Sequence, residues 1–148
     1  MNLRRPTILI TLLSFIIISM IMLSCRKENP SLNIKFNNKE LPTVLSYVQG
    51  TWKLSYTGYL NEKFIPSHNI YMRLDSSKWM YSDTTGIYFN TKINWVKQYS
   101  GNSFIYSFSY KPPQLNFLAV YIVSEIKNDT LIIKEPILNG SSYYYVKE

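Results

Sequence analysis

The chain opens with one long apolar run and then changes to an alternation of apolar and polar residues. Residues 8–23 are apolar except for Thr11, Ser14 and Ser19. From Gly50 onward, apolar side chains recur at every second position in short stretches that turn residues separate. A period of two places side chains on alternate faces of an extended strand, so the pattern predicts β-strands after an N-terminal apolar segment.

The N-terminal run has the layout of a secretory signal peptide. Arg4 and Arg5 supply positive charge before it, and the small residue Ser24 follows it. Its 16 residues would form a helix about 24 Å long. A helix needs roughly 20 residues to cross the hydrocarbon core of a bilayer. The alternative, an uncleaved membrane helix, would leave the single cysteine at the end of the run, Cys25, unexplained. We therefore expect residues 1–24 to be removed.

A tether is expected next, over residues 25–46. The segment from Arg26 to Leu41 is rich in Asn and Lys and predicts mostly irregular chain. Residues 33–36 are compatible with a short strand. The sequence from Thr43 to Val48 predicts one helical turn, with Thr43 as its N-cap.

Residues 47–148 predict an all-β domain of about eight strands. Short turns separate the strands, and Asn139-Gly140 is the strongest turn signal among them. Regular hairpin spacing favours an antiparallel meander, either closed as a small barrel or folded as a sandwich. Closure would protect the edges of strands this rich in aromatic residues.

The net charge and the cysteine content limit the partners and the kinds of site that the chain can have. The formal charge of the chain is +7, and loss of Arg4 and Arg5 lowers it to +5. For an exported chain with interspersed basic residues, this favours an anionic membrane surface or simple solubility over nucleic acid. Cys25 is the only cysteine, so the chain has no second thiol for an intramolecular disulfide and none elsewhere for a metal site or a nucleophile.

Catalytic patterns are absent from the sequence. His68 is the only histidine and lies in a polar loop, and no Gly-x-Ser-x-Gly motif is present. The acidic residues form no close pair, and the five glycines are dispersed. We therefore predict a protein that is not an enzyme and has no catalytic residues, metal or cofactor.

The end of the apolar run resembles the lipobox of bacterial lipoproteins. The residues are Met22-Leu23-Ser24-Cys25, and relaxed lipoboxes of this kind are common in the Bacteroidetes. The resemblance implies that the thiol of Cys25 carries a diacylglycerol, whose two chains suffice for stable attachment. The implied location is the cell envelope, with the outer membrane expected and the facing left open.

The start of the β-region resembles the lipocalins. Gly50-Thr51-Trp52 is similar to their Gly-x-Trp signature, in which the Trp plugs the closed end of an eight-stranded barrel beneath a helical turn. In larger lipocalins an arginine near the end of the chain packs over this Trp, and the last strand here offers Lys147 instead. The Ile126–Ile133 hairpin and Tyr143-Tyr144-Tyr145 look like the lipocalin-like lipoprotein domains of the Bacteroidetes.

Two functions follow as alternatives. An eight-stranded barrel is just wide enough to be filled by side chains or to hold one small molecule. In the first alternative the domain binds a small hydrophobic ligand. In the second, the aromatic residues fill the barrel, and the domain is a structural module or docks another envelope protein. If a cavity exists, its wall is expected to include some of Trp79, Tyr88, Trp95, Tyr106, Phe108 and Tyr121.

Overall fold

The computed structural model describes residues 31–112 and 116–148, so Cys25 and the expected signal peptide at 1–24 lie outside the described residues. The described chain forms one short helix and eleven strands. The helix is α1 (Leu41–Val48), and the strands are β1 (Ile34–Lys35), β2 (Gly50–Tyr59), β3 (Glu62–Phe64), β4 (Ile70–Leu74), β5 (Lys78–Asp83), β6 (Gly86–Lys92), β7 (Asn94–Ser100), β8 (Ser103–Tyr110), β9 (Ala119–Lys127), β10 (Thr130–Lys134) and β11 (Ser142–Lys147). Within the described residues, no helix has the length and apolarity needed to cross a membrane.

All the strands belong to one curled, half-barrel sheet. Its main path runs β6-β5-β4-β2-β11-β10-β9-β8-β7, while β1 pairs with β9 and β3 pairs with β2. Every pairing is antiparallel. Along the main path, neighbouring strands follow one another in the chain except that β3 lies between β2 and β4 and that β11 returns to β2. The predicted all-β, antiparallel meander is confirmed.

The strand count exceeds the expected eight for an identifiable reason. Strands β6 and β7 end the path, yet Ile93 alone separates them in the chain. The Ile93 N–H donates to the Ser77 carbonyl at 2.9 Å and so continues the pairing with β5. Asn94 is then paired with Ser109 on β8. Together β6 and β7 act as one bent strand that passes from β5 to β8, and β1 and β3 are short additions.

The compact unit begins at Ser31, ahead of the expected domain start at residue 47. Strand β1 pairs with β9, and the Phe36 side chain is fully buried. Pairing between β8 and β9 stops at Ile122, so the remaining edge of β9 is available to β1. This tertiary contact orders a segment for which the sequence predicts mostly irregular chain.

Helix α1 begins two residues earlier than expected. Its N-cap residue is Glu40, which makes no side-chain capping hydrogen bond, and Pro42 lies in the first turn. Proline is favoured there because the first N–H groups of a helix have no partner in the helix. The predicted cap, Thr43, therefore lies inside the helix.

The core lies in the interior of the curled sheet and is rich in aromatic side chains. Trp52 and Phe108 are among its largest buried side chains. Near α1, the Trp52 indole Nε1–H donates to the Val48 carbonyl at 2.8 Å. This bond ties the first long strand to the helix that precedes it.

Candidate functional site

The two ends of the curled sheet differ in character. The helix end carries α1, Trp52 and the tight turns at 75–77, 101–102 and 128–129. The loop end carries the connections at 60–69, 84–85 and 135–141, and also the described residues 111–112 and 116–118 between β8 and β9. Alternate connections of a meander lie at the same end, so these four connections surround one opening.

A cavity of about 140 Å³ lies inside the sheet. Its wall comes from the inward faces of six strands, β5, β6, β8, β9, β10 and β11. Seven of the eight wall residues are aromatic, and five of those are tyrosines. The wall residues are Trp79, Tyr81, Phe89, Tyr110, Tyr121, Ile133, Tyr143 and Tyr145.

Trp79 is the centre of the aromatic packing. Its ring lies nearly perpendicular to that of Tyr110, with centroids 4.6 Å apart, and to those of Phe89 and Phe108 at 5.0 and 5.1 Å. Edge-to-face contacts of this kind stabilise aromatic clusters beyond the burial of their area. The Trp79 Nε1–H is buried and has no hydrogen-bond partner among the described residues. A buried donor without a partner is costly and so marks a position of interest.

The wall tyrosines are held in the protonated form. Burial raises the pKa of Tyr143 to about 12, and the hydrogen bond from its hydroxyl to Glu135 adds to this shift. Burial also raises the pKa of Tyr121, with smaller contributions from the Tyr143 hydroxyl and the Glu135 charge. The Tyr145 pKa is raised as well, again mainly by burial. At neutral pH the cavity therefore presents uncharged hydroxyls and aromatic faces.

Glu135 lies beside the cavity at the loop end. Its Oε1 accepts a hydrogen bond from the Tyr143 hydroxyl, and its Oε2 accepts one from the Ser141 N–H, both at 2.9 Å. Glu135 also lines a shallower groove of about 350 Å³ together with Phe117, Leu118 and Tyr121. Tyr121 lines both spaces, so the groove and the inner cavity share this residue.

Two of the six residues expected in a cavity wall, Trp79 and Tyr121, line the cavity. Phe108 is fully buried behind them, with its ring centroid 5.7 Å from that of Tyr121. Trp95 is half-buried, packs against Phe108 and donates from Nε1 to the Ser76 carbonyl at 3.1 Å. These contacts place Phe108 and Trp95 in the supporting core.

The structure places Tyr106 and Tyr88 away from the cavity. The Tyr106 hydroxyl lies 3.4 Å from Glu40 beside α1. Tyr88 is 56% exposed. The register of pairing between β5 and β6 changes after Tyr81. Tyr81 is paired with Phe89 and Ser82 is paired with Ile87, so Tyr88 has no partner on β5 and forms a bulge. This bulge turns Tyr88 outward and leaves Phe89 facing the interior.

Six wall residues were not among the expected ones. Simple alternation was enough to place Tyr110 on the inner face of β8, two positions after Phe108. Phe89 was missed because the bulge in β6 interrupts the alternation that would have placed it on the inner face. In the last strand, alternation alone does not say which of the three consecutive tyrosines face inward. The six are Tyr81, Phe89, Tyr110, Ile133, Tyr143 and Tyr145.

A second arrangement lies at the helix end, around Trp52. The Lys147 ammonium lies 5.4 Å from the centroid of the Trp52 ring. Gly50 has φ +127°, and a Cβ at that position would lie 3.7 Å from Lys147 Cε. That distance is an ordinary van der Waals contact, so it is the backbone conformation, and not the lysine stem, that requires glycine here.

Asp83 organises a polar cluster at the loop end. Its carboxylate accepts hydrogen bonds from the Thr85 hydroxyl at 2.6 Å and the Tyr88 hydroxyl at 2.5 Å, and it lies 3.3 Å from His68 Nε2. The Ser67 hydroxyl lies 3.2 Å from His68 Nδ1. The pKa of Asp83 is lowered to about 2, mainly by the hydroxyls of Thr85 and Tyr88. The cluster fastens the 60–69 loop to the turn between β5 and β6.

Exposed apolar side chains concentrate at the loop end. Of the 14 large apolar side chains exposed in residues 31–112 and 116–148, ten lie in or beside the four connections there. Such concentration is uncommon on a protein without a partner for that surface. The ten residues are Tyr59, Leu60, Phe64, Ile65, Ile87, Tyr88, Phe117, Leu118, Ile137 and Leu138.

Within the part of the chain that the structure describes, no three His, Cys, Asp or Glu residues come together in a way that would hold a metal ion. Comparison of the chain with protein-family models, with curated proteins and with solved structures found no match. The geometry of the cavity, the loop end and the Trp52 arrangement is therefore the basis for a functional proposal.

Proposed function

We propose that this protein is a lipid-anchored lipoprotein of the cell envelope whose lipocalin-like domain binds a small ligand in the aromatic cavity. The anchor is the acylated Cys25, and the expected location is the outer membrane. The proposal assigns binding to the domain and no catalysis.

The cavity is the observation that carries this proposal. Its volume of about 140 Å³ is close to that of an engineered apolar cavity of roughly 150 Å³ that binds benzene. Pockets for drug-sized molecules are larger, about 300 Å³ or more. The ligand is therefore about as large as one benzene ring, and a whole lipid chain does not fit.

The arrangement at the helix end supports the lipocalin-like assignment. The Trp52 side chain lies beneath α1, and Lys147 covers its ring. This is the position that an arginine takes in the family that Gly50-Thr51-Trp52 resembles. A cation over an indole contributes roughly 0.5–1 kcal/mol at exposed sites.

A binding experiment tests the ligand proposal with phenol as the probe. The full chain, purified from membranes in dodecyl maltoside, is titrated with phenol while tryptophan fluorescence is excited at 295 nm. We expect a saturable change, because Trp79 forms part of the cavity wall. A change that never saturates would contradict the proposal.

A matched pair of variants locates the site. Ile133 lines the cavity, whereas Ile132, its neighbour on β10, lines a groove outside the sheet. Ile133→Trp should fill the cavity and abolish the phenol response, while Ile132→Trp should retain it. Equal loss in both variants would mean that phenol does not bind in the cavity.

The lipid anchor has its own test. Cells are labelled with an alkyne analogue of palmitate, and the chain is recovered from membrane and soluble fractions. We expect the wild-type chain to be labelled and membrane-bound, and a Cys25→Ala variant to be unlabelled. If both are unlabelled and soluble, the anchor proposal is wrong.

The apolar loop end favours a second candidate, in which this surface docks another envelope protein. A photo-crosslinking residue at Leu138, which is 94% exposed, samples this end, and one at Tyr99, 71% exposed, samples the helix end. Docking predicts one discrete adduct in intact cells from position 138 and none from position 99. The same pattern at both positions would count against docking.

A further inference from the structure

The cavity wall has the composition of an aromatic cage. Seven of its eight residues present rings, contributed by five different strands, and none of the eight carries a positive charge. The faces of aromatic rings are electron-rich and attract cations that lose little hydration on entering. Trp, which interacts most strongly with cations, lies at the centre of this wall as Trp79.

Glu135 makes the surroundings of the cage negative. Its carboxylate is fixed by the Tyr143 hydroxyl and by the Ser141 N–H, so its charge is held beside the wall. That charge contributes to the raised pKa of both Tyr143 and Tyr121. A field that disfavours a phenolate at these positions favours a cation.

We propose that the cavity binds a small organic cation with a quaternary ammonium group, an inference that rests on the proposed ligand-binding function. Such a group has no N–H donors, so it does not need the several hydrogen-bond acceptors that a primary ammonium requires. Its methyl groups pack against the rings while its charge interacts with their faces. An anion would find no basic side chain among the wall residues.

The size of the cavity agrees with this chemistry. A volume of about 140 Å³ accepts a trimethylammonium head with a short substituent, which is similar in size to the benzene bound by an engineered cavity. Choline has this form. Its neutral isostere, 3,3-dimethylbutan-1-ol, replaces the charged nitrogen by carbon and keeps the shape, so the pair separates charge from fit.

The test compares these two probes on the full chain in dodecyl maltoside, with tryptophan fluorescence as the readout and sodium chloride balancing the ionic strength. We expect choline to bind about tenfold or more tightly than the isostere, as a desolvated cation–π site requires. Equal affinities, or tighter binding of the isostere, would overturn the inference.

A charge variant tests the contribution of Glu135. Glu135→Gln keeps a hydrogen-bonding side chain and removes the charge, so choline affinity should fall several-fold while isostere affinity stays within about twofold. Glu125→Gln removes a charge from the outer groove and is the matched control. A loss of choline affinity that is equal in both variants would contradict a specific role for Glu135. Should Glu135→Gln fail to fold, the comparison of the two probes on the wild-type chain still decides the inference.

The outcomes separate this inference from the proposed function. If phenol binds and Ile133→Trp blocks it, but choline does not bind, the ligand site stands and the cation is wrong. If neither choline, the isostere nor phenol binds, both proposals fail. If choline and phenol both bind and Ile133→Trp blocks both, both proposals are supported.

Discussion

Lys147 and Trp52 are paired across β11 and β2, and the lysine ammonium lies 5.4 Å from the centroid of the indole ring. Replacing Lys147 by Met keeps an unbranched stem over the ring and removes the charge. We expect the free energy of unfolding to fall by about 0.5–1 kcal/mol, while Lys147→Arg keeps it within about 0.5 kcal/mol. Urea unfolding measures both. Equal stabilities of the Met and Arg variants would show that the charge contributes nothing.

Gly50 should tolerate no side chain. Its φ of +127° is a conformation that L-residues rarely adopt, and such strain costs on the order of 1–3 kcal/mol. Gly50→Ala should lower the free energy of unfolding by about that amount in urea. Gly101, with φ +58° and open space around it, is the control, because Asn tolerates that region and Gly101→Asn should change stability by less than about 0.5 kcal/mol. A mild effect at Gly50 would mean that the backbone relaxes.

The expected tether should prove to be part of the domain. Phe36 is fully buried, whereas Leu32 is 37% exposed. Phe36→Ala should cost about 3–5 kcal/mol of unfolding free energy, and Leu32→Ala should cost less than about 1 kcal/mol. If both substitutions prove equally mild, the segment before β2 behaves as the irregular linker that its Asn- and Lys-rich sequence predicts.

The alternation of apolar and polar residues within a strand predicts part of the interior correctly. Alternation of apolar and polar residues along β8 predicts that Tyr106, Phe108 and Tyr110 share one face, and all three are buried. The predictions of which side chains face inward fail where the orientation of a side chain depends on a neighbouring strand. Tyr88 faces outward because of a bulge against β5, and the bulge depends on the partner strand rather than on the sequence around Tyr88.

Pairing between distant strands and packing between side chains determine features that the local sequence does not predict. The segment around Phe36 is ordered because β8 pairs with only part of β9 and leaves the rest of that edge to β1. The sequence around Phe36 does not reveal this pairing. The cavity exists because seven rings from five strands meet without filling their shared space. Composition predicts an aromatic interior, but the volume left between the rings depends on how each ring is oriented.

Asp83 should make the protein sensitive to acid. Its pKa is about 2 in the folded protein, against 3.8 for the free residue. A lowered folded-state pKa stabilises the fold above pH 3.8, and this contribution is lost as the pH falls from 3.8 toward 2. Asp83→Asn should therefore show a shallower fall of the urea midpoint over this window. Parallel wild-type and variant curves between pH 4 and pH 2 would contradict the role of the carboxylate.

The cavity tyrosines should make the protein sensitive to alkali. The Tyr143 pKa is raised to about 12 and that of Tyr145 is raised well above 10.0. Because the unfolded chain loses these protons first, stability is full below pH 10 and declines as the pH rises above it. Absorbance at 295 nm should show these residues ionising together with the loss of near-ultraviolet circular dichroism.

Tyr145→Phe should flatten this alkaline decline, because it removes one of the ionising groups. Tyr99→Phe is the control, since that ring is 71% exposed. If both variants decline as steeply as the wild-type chain, burial of the Tyr145 hydroxyl does not govern the alkaline stability.

The pairing of β11 with β2 has a consequence for biogenesis. Residues 142–147 complete the sheet against residues 52–58, so roughly 90 residues separate the paired positions along the chain. Contacts between distant positions slow folding. The nascent polypeptide consequently cannot complete the sheet until residues 142–147 have been synthesised. Truncation of the final few residues would leave β2 with an unpaired edge and expose the chain to proteases and aggregation.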